Sequence, residues 1–202
     1  MQGSKERILI ATTSAGKLRE FASLFANLPW TPVRPADVGV LLDVEETGTT
    51  FVENARLKAW ANFHASGIPT VAEDSGLQID ALNGEPGVYS ARWHGLPDGP
   101  VKNAYVLERL QGVPKSRRGC RYRCAIVFVD RDAREHIFEG VCAGRIADAP
   151  AGEGGFGYDP IVLIPGRGRT MAELSEEQKN EISHRGRAAR KLIRHLRHYG
   201  RL

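Results

Sequence analysis

Two acids in succession, Glu73 and Asp74, stand directly after the apolar pair Val71-Ala72, and burying them is costly without a metal or a cationic partner. Glu45, Glu46 and Glu53 extend the carboxylate set. Magnesium prefers oxygen ligands, keeps several waters, and usually takes one or two carboxylates plus substrate phosphates. A cluster of this kind therefore suits an ion that bridges a polyphosphate. Singly, these glutamates also have plainer uses. Glu53 would complete a helix capping box with Thr50, and Glu45-Glu46 reads as a solvated edge.

A second segment, Thr12-Thr13-Ser14-Ala15-Gly16-Lys17, joins an apolar run to a stretch of helical periodicity. A helix N-terminus offers unpaired amide donors and a partial positive charge, and glycine lets a phosphate approach the backbone. It is no Walker A loop, because Ala11 stands where the first glycine belongs and Leu18 where the Ser or Thr belongs. Locally, a phosphate cradle and an ordinary Ser14 cap with a solvated Lys17 fit equally well. In Gly154-Gly155-Phe156-Gly157-Tyr158-Asp159-Pro160, glycines surround two aromatics and an acid. Such a loop can lay an aromatic face on a flat base while Asp159 reads its edge. Composition alone favours a tight turn with Phe156 plugged into the core. The fourth segment is Lys179 with Ser183-His184-Arg185-Gly186. If Ser183 caps the last helix, His184 and Arg185 sit where the helix dipole disfavours cations, which suggests an anionic or carbonyl-bearing ligand. A solvated basic face accounts for Arg187, Arg190, Arg194 and Arg197.

The elements that must position these groups follow from periodicity. Arg7 to Ala11 is almost continuously apolar, the pattern of a strand covered on both faces, and Leu18, Phe21, Leu24, Phe25 and Leu28 then recur at helical spacing. Thr50-Phe51-Val52-Glu53 opens a second helix with Val52, Ala55, Ala59 and Phe63 on one face and Asn54 and Lys58 on another. Thr70-Val71-Ala72 predicts a strand that delivers Glu73-Asp74-Ser75-Gly76 at its end, and Leu77, Ile79 and Ala81 alternate beyond it. Residues 101 to 111 predict a helix with Val101, Ala104, Leu107 and Leu110 in register. Tyr122 to Val129 and Ile137 to Ile146 predict a hairpin through the charged turn Asp130 to Arg134. The last helix carries the stripe Ala188, Ala189, Leu192, Ile193 and Leu196. No internal repeat or low-complexity tract interrupts the pattern.

At 202 residues and 42% hydrophobic content, one domain with a sizeable core is expected. The N-terminus has too short an apolar run for a secretory signal, and nothing approaches the roughly 20 apolar residues of a membrane span, so a cytoplasmic protein without a membrane partner is expected. Cys120, Cys124 and Cys142 lack the second close pair of a structural zinc site and read as small buried apolar residues. The net charge of +4 is local: of 28 basic residues, seven lie between His184 and Leu202, and the other 21 face 24 acids. That distribution weakens any inference to nucleic-acid binding.

In order and content these segments resemble the inosine/xanthosine triphosphate pyrophosphatase family from Ile8 to about Leu196. The matching stretches are Ala11 to Phe21, Glu45 to Ala59 (EETGTTFVENARLKA), Val71 to Trp93 (VAEDSGLQIDALNGEPGVYSARW), Gly152 to Ile161 (GEGGFGYDPI) and Met171 to Gly186 (MAELSEEQKNEISHRG). The resemblance implies an α/β fold: an elongated mixed β-sheet with flanking helices, two lobes around a central nucleotide cleft in a single bilobed domain spanning 1–202, and a homodimer. It implies that Thr12, Thr13, Ser14, Ala15, Gly16 and Lys17 hold the triphosphate with help from Lys58. Asp74 would be general base and magnesium ligand, Ser75 a substrate contact, and Glu45 or Glu46 the other metal-binding acid. Phe156, Gly157, Tyr158, Asp159, Lys179, His184 and Arg185 would hold and read the purine. Ser14 stands where the family usually has Asn, which removes an amide donor, and Glu73 replaces the more frequent Asp while keeping a carboxylate.

The implied reaction is Mg2+-dependent hydrolysis of inosine and xanthosine triphosphates to monophosphate and pyrophosphate, dominated by positioning and charge stabilisation. Donors near His184-Arg185 would select a 6-oxo purine. A related house-cleaning pyrophosphatase acting on modified pyrimidine triphosphates is the nearer rival. An RNA-binding module using the basic terminal helix would explain the local charge but neither the acidic pair nor the Phe156 loop.

Overall fold

The computed structural model of the chain describes residues 6–12, 21 and 28–199. Seven strands, β1 (Glu6–Ala11), β2 (Trp30–Val33), β3 (Thr70–Ile79), β4 (Gly119–Val129), β5 (Glu135–Ile146), β6 (Val162–Ile164) and β7 (Arg169–Thr170), form one sheet in the order β2-β1-β3-β4-β5-β6-β7. The sheet is mixed and open. β1 pairs in parallel with β2 and β3, whereas β6 pairs antiparallel with β5 and β7. The described helices are α1 (Phe51–Ser66), α2 (Pro100–Arg109), α3 (Glu176–Ile182) and α4 (His184–Tyr199). None is long and apolar enough to cross a membrane.

The chain divides into two compact units. The first is drawn from Met1–Asp74, Cys124–Glu139 and Ala188–Leu202. Here β1 explains its own apolar run: Ile8 and Ile10 pack on one side with Val71, Ile126, Phe128 and the α4 residues Ala188, Leu192 and Leu196. Leu9 and Ala11 pack on the other with Ala55, Ala59, Ala72 and Val127. A strand buried on both faces has no polar positions to alternate with. The expected α4 stripe is the buried one, apart from Ile193, which is only half-buried.

α1 begins as its capping box dictates. Thr50 Oγ1 accepts the Glu53 N–H at 3.1 Å, and Glu53 Oε2 accepts the N–H groups of Thr49 and Thr50 at 2.7 and 3.0 Å. Glu53 is thus spent on the cap, and its donors, Thr49 foremost, hold its carboxyl below the ordinary value.

The second unit comprises Ser75–Arg123 and Gly140–Arg187. Its core gathers Leu77, Ile79, Val106, Leu110, Tyr122, Ile146, Ile161, Val162 and Met171. α2 departs from the predicted register. Val101 and Ala104 are exposed, whereas Lys102 and Asn103 are buried with Val106 and Leu110. Lys102 tolerates burial because its ammonium donates to the carbonyls of Ser90 (3.0 Å) and Ala91 (2.8 Å) and to Asp98 Oδ1 (2.6 Å).

β3 also differs from expectation, since it runs unbroken through Glu73-Asp74-Ser75-Gly76 instead of ending there. Gly76 is required by close approach, as a Cβ there would lie 2.5 Å from the Gly87 carbonyl oxygen. The three cysteines are free and buried, as their spacing suggested, and burial pushes the Cys120 thiol up to about 12. Arg187 is not merely solvated: its guanidinium donates to the Val141 carbonyl of β5 at 2.9 Å.

Candidate functional site

In the first unit, the parallel register pairs Ala11 of β1 with Ala72 of β3. Thr12, the first residue of the predicted phosphate loop, therefore leaves the sheet alongside Glu73 and Asp74. Open α/β sheets bind ligands beyond the carboxyl ends of parallel strands, which is this position. Thr12 is half-buried, and its N–H donates to the Ile10 carbonyl at 2.9 Å. Thr13, Ser14, Ala15, Gly16 and Lys17 lie outside the described residues.

Asp74 is 5% exposed and Glu73 2%. α1 supplies what makes Asp74 tolerable there. Lys58 Nζ stands 3.5 Å from Asp74 Oδ1, and Asn54 Nδ2 donates to Asp74 Oδ2 at 3.2 Å. Asn54 and Lys58 are one helical turn apart, so they face Asp74 together. Lys58 Nζ also meets Glu46 Oε1 at 2.5 Å. The loop before α1 brings Glu46 into place. The Gly48 N–H donates to Asn54 Oδ1 at 2.8 Å, and a Cβ on Gly48 would lie 2.6 Å from Glu53 Cβ, so only glycine lets the loop fold back this closely. Glu45 is exposed. Of the two adjacent glutamates, Glu46 joins Lys58 and Asp74. Glu73 Oε2 accepts the Cys124 thiol at 3.2 Å.

Two carboxylates sharing one ammonium form an all-oxygen pair, which fits what magnesium takes from a protein. Among the described residues no three His, Cys, Asp or Glu side chains gather into a ligand cluster. An ion held here would draw its remaining ligands from water and phosphate.

The second unit carries the other predicted residues. Phe156 is 43% exposed, not plugged into the core. Its ring is backed by two cations, Lys179 Nζ at 4.6 Å and the Arg185 guanidinium at 5.5 Å from the centroid. The same Lys179 ammonium reaches Asp159 Oδ2 at 2.8 Å, and the Phe156 N–H donates to that oxygen at 3.0 Å. Gly155, at φ +74, has no room for a side chain against Asp159 Oδ2. Asp159 is thus turned inward, 4% exposed.

Gly157 accepts Asn103 Nδ2 on its carbonyl at 3.1 Å, and the Tyr158 hydroxyl donates to the Ser90 carbonyl at 3.0 Å. Burial, with Asp98 nearby, raises the Tyr158 phenol. Ser183 caps α4 as predicted, accepting the Gly186 N–H at 3.0 Å. Arg185, 2% exposed, donates to Ser75 Oγ at 3.1 Å. His184 stacks on Tyr122, with centroids 4.8 Å apart and planes 11° from parallel.

The structure therefore collects Glu46, Lys58 and Asp74 in one unit and Ser75, Phe156, Asp159, Lys179, His184 and Arg185 in the other. Sequence reading missed Asn54, whose only signal was its shared helical face with Lys58. It also missed Tyr122 and the Lys102-Asn103 pair, which no local pattern marks.

Comparisons with known proteins agree over nearly the whole chain. The sequence pattern of the Ham1 family matches residues 8–195. The dITP/XTP pyrophosphatase of Geobacillus kaustophilus is 48% identical over 194 residues, covering 93% of this chain and 92% of its own length. That of Thermus thermophilus is 43% identical over 187 residues, covering 93% and 90% respectively. Among solved structures, a HAM1 protein from Coxiella burnetii superposes with a TM-score of 0.85 at 39% identity, covering 96% of this chain and 99% of that one.

Proposed function

The chain belongs to the Ham1 family, and from that premise we infer that it is a nucleoside triphosphate pyrophosphatase: it hydrolyses noncanonical purine nucleoside triphosphates (ITP, dITP and XTP) to the monophosphate and pyrophosphate and so cleanses the nucleotide pool. The observation that carries the chemistry is buried Asp74, next to Lys58, which it shares with Glu46. In this reading Glu46 and Asp74 would hold Mg2+, which supplies Lewis-acid charge neutralisation on the phosphates. Asp74 takes the proton of the attacking water. Asn54 fixes the carboxylate by donating to Oδ2, leaving Oδ1 toward Lys58. Lys58 stabilises negative charge as the bridging oxygen leaves with pyrophosphate, and Thr12 through Lys17 cradle the triphosphate.

The base would lie on the exposed ring of Phe156, with Gly157 and Tyr158 shaping the loop. Lys179, His184 and Arg185 would supply donors to its 6-oxo group, with Asp159 holding Lys179 in place. An adenine amino group presents hydrogens to those donors and leaves them unpaired, at roughly 1–3 kcal/mol per group. We place the protein in the cytoplasm as a homodimer of single bilobed domains. Pyrophosphate release from XTP, dITP, ITP, GTP and ATP, with and without magnesium, tests the activity. Equal rates for all five overturn the base assignment, and full activity in excess chelator overturns the metal. Sedimentation at micromolar concentration tests the dimer, and a monomer there overturns it.

A further inference from the structure

Asp159 accepts from three donors, and one of them comes from a strand that the base-reading residues do not include. Tyr122 lies on β4 between exposed Arg121 and half-buried Arg123, so strand alternation turns it inward with Cys120. Its hydroxyl donates to Asp159 Oδ1 at 3.0 Å, while Lys179 Nζ and the Phe156 N–H occupy Oδ2 at 2.8 and 3.0 Å. Its ring lies flat against His184. One side chain thus touches both Asp159, which holds Lys179, and His184.

We propose that Tyr122 is a positioning residue for base selection, its hydroxyl fixing the Asp159–Lys179 pair and its ring fixing the plane of His184. This rests on the reading that Phe156, Lys179, His184 and Arg185 receive the purine. The chemistry is directional. Burial first, and Asp159 second, raise the Tyr122 phenol well above its ordinary value, so it remains a donor at any working pH. With Tyr122 on one oxygen and Lys179 and Phe156 on the other, the carboxylate plane is set from both sides. Removing the hydroxyl frees the carboxylate to rotate and lets the Lys179 ammonium shift over the Phe156 ring. Removing the ring also frees His184.

Tyr122→Phe separates these roles, because it keeps the stacked ring and its volume and deletes only the donor. We expect the KM for XTP and dITP to rise about 3- to 30-fold, less than the roughly 10- to 100-fold of a lost hydrogen bond to a charged partner, because Tyr122 acts on the base only through Asp159 and Lys179. We expect kcat to stay within about twofold and the preference over ATP to fall with KM, since the lost contact acts on binding and not on the reacting phosphorus. Tyr122→Leu should lower the preference further. If Tyr122→Phe leaves KM and the XTP-to-ATP preference at wild-type values while Lys179→Met destroys that preference, the base site stands and the role of Tyr122 is overturned. An even loss of kcat over all nucleotides with the preference intact makes Tyr122 scaffolding and overturns the proposal as well. If Lys179→Met changes neither quantity, the base-site reading falls and this inference falls with it.

Discussion

The two polar clusters of this chain are built on opposite electrostatic plans. In the first unit two carboxylates, Glu46 and Asp74, meet the ammonium of Lys58, while the neighbouring buried acid Glu73 alternates to the other face of β3 and accepts the Cys124 thiol. In the second unit one carboxylate, Asp159, is met by three donors, and the cations Lys179 and Arg185 stand behind an exposed aromatic ring. Among the described residues the first cluster sets two carboxylates around one ammonium, an oxygen-rich arrangement of the kind a divalent cation can join. The second engages its acid with hydrogen-bond donors and sets two cations against the Phe156 ring. In the proposed reading the first plan suits a metal-bridged triphosphate and the second an oxidised purine.

If that contrast is right, neutralising an acid should be ruinous in the first unit and removing an aromatic costly mainly for binding in the second. Asp74→Asn keeps the shape and the Asn54 contact but cannot take a proton, so kcat should fall by about 10²- to 10⁴-fold with KM within a few-fold of wild type. Near wild-type turnover by steady-state assay would remove Asp74 from the mechanism. Glu46→Gln is the next largest effect. Losing one of two charged ligands forfeits at least a charge-assisted contact, roughly 1.5–3 kcal/mol, so half-saturation by magnesium should rise about 10- to 100-fold. Glu45→Gln should leave it unchanged, because Glu45 is exposed and apart from Lys58. A magnesium titration in which the two variants behave alike would erase the distinction.

Phe156→Ala sharpens the other side of the comparison. Base stacking on an aromatic is worth about 1–3 kcal/mol, which corresponds to a KM increase on the order of tenfold. The ring is 43% exposed, so the melting temperature should barely move. A large loss of stability with unchanged KM would mean that the ring serves the fold and not the ligand.

Much of this arrangement was readable in the sequence where one physical rule acts alone. The apolar run of β1, the Thr50–Glu53 box and the Ser183 cap each follow from local rules that tertiary context did not override. Reading failed where polar groups are buried on purpose. The acids Glu73 and Asp74 look like a break before the Leu77-Ile79 alternation because acids rarely continue a buried strand, yet Lys58 and Asn54 meet Asp74 from α1, Cys124 meets Glu73, and β3 runs on. Lys102 and Asn103 displaced Val101 and Ala104 from the buried face of α2 while Leu110 kept its place, the hydrogen bonds of Lys102 and of Asn103 Nδ2 replacing water that exposure would have given. Glu45 and Glu46 differ by one position, and only the fold-back at Gly48 decides between them. The Phe156 loop misled because an aromatic among glycines ordinarily finds the core, whereas here its partners are cations.

A smaller effect, away from both clusters, follows from a histidine pair in the first unit. His195 of α4 packs 4.3 Å from the His136 ring, within the aromatic surround of Phe128, Phe138 and Tyr199, and His136 meets Asp130 Oδ2 at 2.9 Å. Burial first, then His136 and His198, lower the His195 pKa from 6.5, with Asp130 opposing. Because the folded value is the depressed one, the unfolded chain takes the proton first. Stability is therefore complete above about 6.5 and declines as pH falls from there through the folded value. The carboxylates that favour their ionised form in the fold, such as Glu135 held by Arg56, act in a separate window below 4.5. His195→Phe keeps a ring in the aromatic surround and removes the titration, so its melting temperature should stay flat between pH 7 and 5.5 where that of the wild type declines. Parallel slopes for the two proteins by scanning calorimetry would assign the acid sensitivity elsewhere.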